Sequence, residues 1–210
     1  MADQVLRDKG GFLSPVVTLV PHGAGRAVRK DFGSKNPLTR GIIGPLLVKR
    51  EWSILRRLEG IPGIPRAYEV TGRGRVLLVE YVPGRTLGKF KDGELAERVY
   101  RDLEETLAAV HARGVVHLDL RQKKNVMVAD ADRRPWLIDF ANAARVDGGP
   151  LRPLAEKLRD IDRSGLLKFK ARYFSRLLTD RDRGVLKRHA KMRKYWIFSP
   201  HTVRDRDIVW

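Results

Sequence analysis

The sequence predicts an α+β fold in which a β-rich half with one helix precedes a helical half. Short apolar runs separated by Gly- and Pro-containing turns fill the chain up to residue 82. After residue 92, apolar residues recur every three or four positions, which is typical of helices. We therefore predict two units, 1–82 and 83–210. A chain of 210 residues suits two small lobes that share a cleft.

The N-terminal half is predicted to contain four strands. Runs rich in Val, Leu and Ile occupy 12–20 and 26–32, and a second pair occupies 66–71 and 75–82. Each pair is joined by a turn that contains glycine. Residues 33–45, which hold Gly, Pro and Asn, are predicted to form a loop.

One helix is predicted between the two strand pairs, over 46–59. Leu47, Glu51 and Leu58 share one of its faces at helical spacing, and Gly60 ends it. Glu51 is notable because a carboxylate on an inward face needs a partner to offset the cost of burial.

The C-terminal half begins with a strong helix prediction over 94–113, with Gly114 as its stop signal. A polar, basic loop follows, and then a strand is predicted over 135–140. From residue 150 onwards, Leu, Phe and Tyr alternate with Arg and Lys, which predicts two or three amphipathic helices. The aromatic residues of this tail are expected to pack in a core or an interface, with membrane contact as the alternative: Phe169, Tyr173, Phe174, Tyr195, Trp196 and Phe198.

Composition excludes several classes of function. The chain has no Cys, which rules out disulfides, Cys-ligated zinc and a cysteine nucleophile. Its five His lack the spacing of a metal site, and no apolar run approaches the roughly 20 residues of a membrane span. The first residues carry two acids and no apolar segment, unlike a secretory signal. A cytoplasmic location is the default expectation.

The charge is strongly basic, with 43 Lys and Arg against 25 Asp and Glu, and a formal net charge of +18. The excess lies at the two ends of the chain, because residues 85–144 carry 11 basic and 10 acidic residues. Nucleic acid, an anionic membrane surface or a phosphorylated ligand are all partners that such a field attracts. A set of solvated arginine-rich faces is an equally good interpretation.

Three polar residues in the C-terminal half fit the chemistry of phosphoryl transfer. This reaction needs a carboxylate that orients the acceptor hydroxyl, oxygen ligands for Mg²⁺, and a cation on the phosphates. Asp119 follows VVHL, Asn125 closes the next loop, and Asp139 ends an apolar strand. Oxygen ligands suit hard, partly hydrated Mg²⁺.

The segment HARGVVHLDLRQKKNVMV, followed by LIDFA, resembles the catalytic loop and metal-binding segment of the protein-kinase-like superfamily. It is most similar to small bacterial members, the RIO-like kinases and the lipopolysaccharide core sugar kinases, over roughly residues 12–145. The resemblance implies a bilobal protein-kinase-like fold with a reduced helical C-lobe, and ATP and Mg²⁺ as cofactors. It makes Asp119 the catalytic base and Asn125 and Asp139 the metal ligands.

The resemblance also implies nucleotide-binding residues upstream. Lys30 lies where the family has its phosphate-gripping lysine, and Glu51 is its expected partner, with Arg29 as a rival because strand register is uncertain from sequence. In the hinge-like VEYVPG, Glu80 and Val82 are expected to bind the adenine edge. The turn PHGAG, between the first two predicted strands, takes the place of the phosphate-covering loop; its expected contributors are Gly23, Ala24 and Gly25.

Other residues of the catalytic loop have weaker assignments. Arg121 lies where protein kinases often have a phosphate-contacting lysine, so it is a further nucleotide-binding candidate. Lys123 and Lys124 are expected to be solvated, although they can reach an anionic substrate. His117 is expected to fix the loop backbone, and His111 to pack at a helix end.

The sequence departs from the kinase pattern at several points. Five residues separate Asp119 from Asn125 where the pattern has four. Leu118 replaces the usual Arg, Ala141 replaces the usual Gly, and only 71 residues follow Asp139. These changes indicate a minimal, constitutive kinase.

The function expected from the sequence is ATP-dependent phosphorylation of a hydroxyl. The preferred acceptor is a sugar of a lipid-linked glycan such as lipopolysaccharide core, reached at the inner face of the cytoplasmic membrane through the basic tail. A RIO-like protein serine/threonine kinase is the alternative. A pseudokinase scaffold and a nucleic-acid-binding module are further alternatives, the last ranked lowest because no RNA-binding or zinc-finger motif is present.

Overall fold

The computed structural model describes residues 3–7 and 14–193, without the side chains of Arg7 and of 188–193. Its N-terminal part is a five-stranded antiparallel sheet in the order β1–β2–β3–β5–β4. The strands are β1 (Gln4–Arg7), β2 (Val16–His22), β3 (Gly25–Asp31), β4 (Ala67–Thr71) and β5 (Val76–Glu80). The strand β3 is central, so both of its backbone edges are paired.

Helix α1 (Gly44–Arg57) crosses between β3 and β4 and packs against the sheet. The first residue of the helix packs so closely on Phe32 that it has no room for a side chain, because a Cβ added to Gly44 would lie 2.6 Å from Cβ of Phe32. Pro45 at the first turn suits a helix start. The inward face buries Val48, Ile54 and Glu51.

The C-terminal part is built around three helices, α2 (Glu97–Ala112), α3 (Ala155–Tyr173) and α4 (Asp180–Arg193). Two small sheets connect them. One contains β6 (Gly84–Thr86), β8 (Val126–Ala129) and β9 (Pro135–Leu137), and the other pairs β7 (Val115–Val116) with β10 (Ala144–Arg145). The prediction of an α+β fold is confirmed.

One continuous hydrophobic core joins the sheet, α1, α2 and α3. Phe169, Tyr173 and Phe174 are buried in it, as predicted for the aromatic residues of the tail. Tyr195, Trp196 and Phe198 lie outside the described residues. No described helix combines the length and hydropathy that crossing a membrane requires.

The structure differs from the predicted elements in three places. Strand β1 was not predicted, because Gln4–Arg7 is short and lacks a periodic apolar pattern. The predicted loop 33–45 contains a helical turn, Thr39–Ile43, that leads directly into α1. The strand predicted over 135–140 ends at Leu137, since Asp139 adopts a left-handed backbone conformation that leaves the sheet. The two units 1–82 and 83–210 stay a prediction.

Candidate active site

Lys30 lies at the centre of the candidate site. The central strand β3 carries it, and its side chain points to α1 and to the segment after β9. Its Nζ donates hydrogen bonds to Oε1 of Glu51 at 2.6 Å and to Oδ1 of Asp139 at 2.8 Å. Glu51 is 5% exposed, so Lys30 supplies the partner that its burial requires. Arg29, the rival candidate, instead pairs with Asp31.

The two carboxylates keep Lys30 charged. Burial of the ammonium lowers the pKa of Lys30, but the charges of Glu51 and Asp139 and their hydrogen bonds raise it further. The net pKa lies above the ordinary lysine value. Lys30 is therefore a permanent cation in the cleft at physiological pH.

Asp119 and Asn125 form the second part of the site. Nδ2 of Asn125 donates to the backbone oxygen of Asp119 and to its Oδ2, both at 2.9 Å. These bonds close the loop despite its extra residue. They also leave Oδ1 of Asn125, the atom that can bind a cation, outside this pair.

His117 links the two parts of the site. Its Nε2 donates to the carbonyl of Ile138 at 3.1 Å, and its Nδ1 accepts from the backbone N–H of Asp119 at 3.3 Å. The backbone N–H of Ile138 donates to the carbonyl of Asn125 at 2.9 Å. Asp119, Asn125 and Asp139 are thus held at one place in the molecule, and His117 fixes the loop backbone as expected.

Sequence reasoning missed Asp162, a fully buried carboxylate on α3. It accepts hydrogen bonds from the backbone N–H groups of His117 at 2.7 Å and Leu118 at 2.8 Å, and from Nε2 of His111 at 3.0 Å. A signal for it exists, because Asp162 shares the buried face of α3 with Leu166. The same argument, a carboxylate on the inward face of a helix, predicts a buried partner for Glu51.

Two residues of the site have left-handed backbone conformations, Leu118 at φ 63° and Asp139 at φ 64°. For residues with a Cβ this conformation costs about 1–2 kcal/mol. Asp162 holds the first in place, and Lys30 contacts the side chain of the second. Ala141 lies in the turn Phe140–Asn142 and does not have a positive φ, so the turn tolerates the absence of glycine.

A cavity of about 380 Å³ opens beside Lys30, within the usual size range of small-molecule sites. Its walls are mostly apolar, with Val17 and Val28 from the sheet, and Met127 and Ile138 from the C-terminal part. Glu51, Asp139 and Lys124 line its polar end, and the mouth also includes Leu6 of β1. The arrangement suits a flat apolar ring with an anionic group attached.

Glu80 at the end of β5, with Tyr81 and Val82 that follow it, lines the same cavity. The backbone N–H of Glu80 already donates to the carbonyl of Arg66 at 2.8 Å. Val82 is buried, and its backbone N–H has no partner among the residues that the structure describes. Of the two predicted contributors, Val82 therefore has the backbone donor that a ligand can use.

The turn that holds Gly23, Ala24 and Gly25, which the resemblance makes the phosphate-covering loop, lies away from the candidate site. Because β1 precedes them, these residues join the second and third strands. Lys30 is five positions beyond Gly25 along β3, or about 16 Å at the rise of a strand. The turn therefore lies at the far end of the hairpin from Lys30, and none of its residues lines the cavity.

The cations of the predicted catalytic loop differ in whether they line the cavity. Arg121 does not line the cavity. Its side chain packs on α3 at Gly165, because a Cβ added to Gly165 would lie only 3.2 Å from Cγ of Arg121. Lys124 is exposed, as expected, and it also lines the cavity. From sequence alone, the extra residue in this loop makes the direction of each side chain uncertain.

Arg50 is a second residue that sequence reasoning missed. From α1 its Nε donates to the carbonyl of Ala143 at 3.0 Å, and its guanidinium also bonds the carbonyl of Asn142 at 3.1 Å. Arg50 thus joins the helix of Glu51 to the segment that follows Asp139. A second link is the ion pair between Arg57 of α1 and Asp147.

The RIO domain family model matches residues 28–182, about three quarters of the chain and all five residues described above, Lys30, Glu51, Asp119, Asn125 and Asp139. The chain belongs to the RIO domain family.

The RIO fold is also evident among solved structures. The Rio2 kinase from Chaetomium thermophilum superposes with a TM-score of 0.62 and 18% identity, over 81% of this chain and 58% of that chain. Its ADP/Mg²⁺–phosphoaspartate complex gives a TM-score of 0.59 and 18% identity, over 80% and 55%. The fold of this RIO domain is thus that of a protein kinase.

A curated relative is the serine/threonine-protein kinase D of Synechocystis sp. (strain ATCC 27184 / PCC 6803 / Kazusa). It is 31% identical over 99 residues, which is 45% of this chain and 19% of that protein. The chain spans about a fifth of the length of the curated relatives that it matches.

The donor set of this RIO domain fits a divalent cation of the magnesium type. Asn125 and Asp139 offer an amide and a carboxylate oxygen, and among the described residues no group of three or more His, Asp or Glu side chains could form an all-protein cage. Mg²⁺ is usually bound through one or two carboxylates together with water and substrate phosphates. A nucleotide phosphate would complete such a site.

Proposed function

We propose that this RIO domain transfers the terminal phosphoryl group of ATP to a hydroxyl group. The observation that carries the proposal is the triad of Lys30, Glu51 and Asp139 at the polar end of an apolar cavity. Adenine would occupy the apolar part, with the backbone N–H of Val82 as a donor to its edge. Lys30 would then bind the phosphates.

Asp119 orients the acceptor hydroxyl and receives its proton. A bond forms between the hydroxyl oxygen and the γ-phosphorus, the bond from the γ-phosphorus to the β–γ bridging oxygen breaks, and ADP leaves with that electron pair. Asn125 and Asp139 would hold Mg²⁺, which neutralises the charge on the phosphates.

A protein serine or threonine is the acceptor that the comparisons support best. The matched curated relative is a serine/threonine-protein kinase. The sugar acceptor preferred from sequence depended partly on the basic tail as a membrane contact, and residues 194–210 of that tail lie outside the described residues. A lipid-linked sugar therefore becomes an alternative outcome of the test.

The pseudokinase alternative rests on the longer catalytic loop and on Ala141. Against both motives, Asn125 bonds Asp119 across the longer loop and Ala141 does not have a left-handed backbone. We therefore favour an active enzyme.

The test is incubation of the purified chain with ATP labelled at the γ-phosphate, Mg²⁺ and fractionated cell extract. We expect label in protein, stable to hydroxylamine as a phosphate ester is. Asp119→Asn should lower transfer by about 100- to 10,000-fold while nucleotide binding persists, because a base contributes factors of this size. Asp160→Asn, at an exposed site on α3, is the matched control and should leave transfer unchanged.

Three other results would alter or contradict the proposal. Label in lipid-linked glycan would restore the sugar acceptor. Label on the enzyme itself that hydroxylamine removes would indicate an acyl phosphate on a carboxylate. Equal, negligible transfer by the wild type and Asp119→Asn would contradict the proposed activity.

A further inference from the structure

Four exposed cations surround the catalytic loop: Arg85, Lys89, Lys123 and Lys124. We call them the loop cations. None of them forms an ion pair with a carboxylate within the described part of the chain. The guanidinium of Arg85 lies 4.4 Å from the ring centroid of Phe90, a contact that leaves its charge unneutralised.

Local packing sets the position of the loop cations. The turn Leu87–Lys89 packs against the turn Lys123–Asn125. The stem of Lys123 runs across Gly88, where a Cβ would lie 2.7 Å from the lysine Cδ. Lys89, Lys123 and Lys124 are thus held in the two turns beside Asn125, whose side chain contacts Asp119 at 2.9 Å.

The general basicity of the chain does not explain this cluster. Residues 85–144 carry nearly equal numbers of basic and acidic residues, 11 and 10. The carboxylates that follow Lys89 in sequence are engaged elsewhere: Asp92 accepts hydrogen bonds from Ser175, Glu94 accepts from the backbone of Lys91, and Glu97 pairs with Arg101. The local positive charge therefore faces solvent next to the acceptor position.

We propose that the acceptor is a serine or threonine in an acidic protein segment, whose carboxylates bind the loop cations. This inference rests on the proposed phosphoryl transfer and adds the substrate class. An extended acidic segment fits better than a single small anion, because the cations come from two turns and a strand. Each ion pair at an exposed site is weak, so discrimination depends on several of them acting together.

The test compares phosphorylation of two serine peptides of equal length, one with Asp and Glu around the serine and one with Gln and Asn. The variant Lys89→Glu/Lys123→Glu reverses two loop cations. Its matched control, Arg152→Glu/Lys157→Glu, changes the charge equally at exposed positions before and within α3. ATP consumption with fractionated extract is measured in parallel, which tests the proposed activity separately.

We expect the wild type and the control to prefer the acidic peptide, and the Lys89→Glu/Lys123→Glu variant to lose about tenfold in the ratio of kcat/KM values. The ratio is internal to each protein, so partial misfolding does not produce this result. An unchanged ratio, or faster transfer to a sugar phosphate such as glucose 6-phosphate than to either peptide, would overturn the inference. Absence of transfer from ATP to every acceptor and extract fraction would instead overturn the proposed activity itself, and the inference with it.

Discussion

Lys30 connects the sheet, helix α1 and the segment after β9 through a single ammonium group. It donates two short hydrogen bonds to carboxylates of residues 21 and 109 positions away in the chain. A buried lysine between two carboxylates is held in one rotamer and remains charged. The site is therefore organised before any ligand binds, which reduces the entropy that binding costs.

Replacing Lys30 should weaken nucleotide binding selectively. Lys30→Met retains the aliphatic stem and removes the charge, so we expect the KM for ATP to rise by about tenfold or more and kcat to fall. Arg29→Met is the matched control on the neighbouring residue, and its KM should equal that of the wild type. Steady-state kinetics with varied ATP measures both; equal effects at the two positions would contradict the assignment.

The distance between the β2–β3 turn and Lys30 leads to a prediction about Gly25. Gly25 has room for a side chain, since the nearest atom to an added Cβ is 3.9 Å away, and its φ is not positive. Gly25→Ala should therefore leave the KM for ATP unchanged. A rise in KM without loss of stability would show that the turn does contact the nucleotide.

At the scale of elements, the position of α1 decides whether Glu51 can reach Lys30. Arg50 and Arg57 fasten this helix to the segment after Asp139 and to Asp147. These contacts use backbone carbonyls and an aspartate of the same chain. A constitutive kinase, as expected from Leu118 in place of the usual Arg, stays a prediction.

Arg50→Ala should lower kcat by about tenfold, because α1 loses charged hydrogen bonds that hold Glu51 in place. Arg50→Lys should restore part of the rate, as a single cation can still donate to one carbonyl. Arg56→Ala, on the exposed side of the same helix, is the control and should keep the wild-type rate. The idea fails if the Arg50 and Arg56 variants have the same kcat.

The start of α4 should show a dependence on pH. Burial raises the pKa of Asp182, but hydrogen bonds from Lys170 at 2.8 Å and from Thr179 outweigh it and lower the pKa below the ordinary value. A lowered folded pKa means that this stabilisation is present above about pH 4 and is lost as the pH falls further.

Asp182→Asn should consequently reduce the free energy of unfolding by about 1 kcal/mol at pH 7, and by less as the pH drops below about 4. Denaturant unfolding at several pH values measures this difference. Asp180→Asn, in the same helical turn but exposed, should cost less at pH 7. If the free energies of unfolding of Asp182→Asn and the wild type differed by the same amount at all pH values, the stabilising role of the Asp182–Lys170 ion pair would be wrong.

For the whole molecule, sequence predicted those features whose signal is local. Helices α1 and α2 follow from apolar periodicity, and Asp119 and Asp139 follow from the resemblance of their local segments to the kinase pattern. Strand β1 has no such pattern, so the sequence did not predict it. The helical pattern places Asp162 on the buried face of α3, but the backbone groups that it binds lie 44 and 45 positions away, so its partners do not follow from local sequence.

The central claim is that one cleft binds a nucleotide whose phosphates are held through a metal by Asn125 and Asp139. Its most direct test is calorimetric titration of ATP into the protein, with and without Mg²⁺, for the wild type and Asp139→Asn. We predict that Mg²⁺ tightens ATP binding to the wild type by about tenfold or more and has little effect on Asp139→Asn. Equal affinities with and without Mg²⁺ in both proteins would contradict the account.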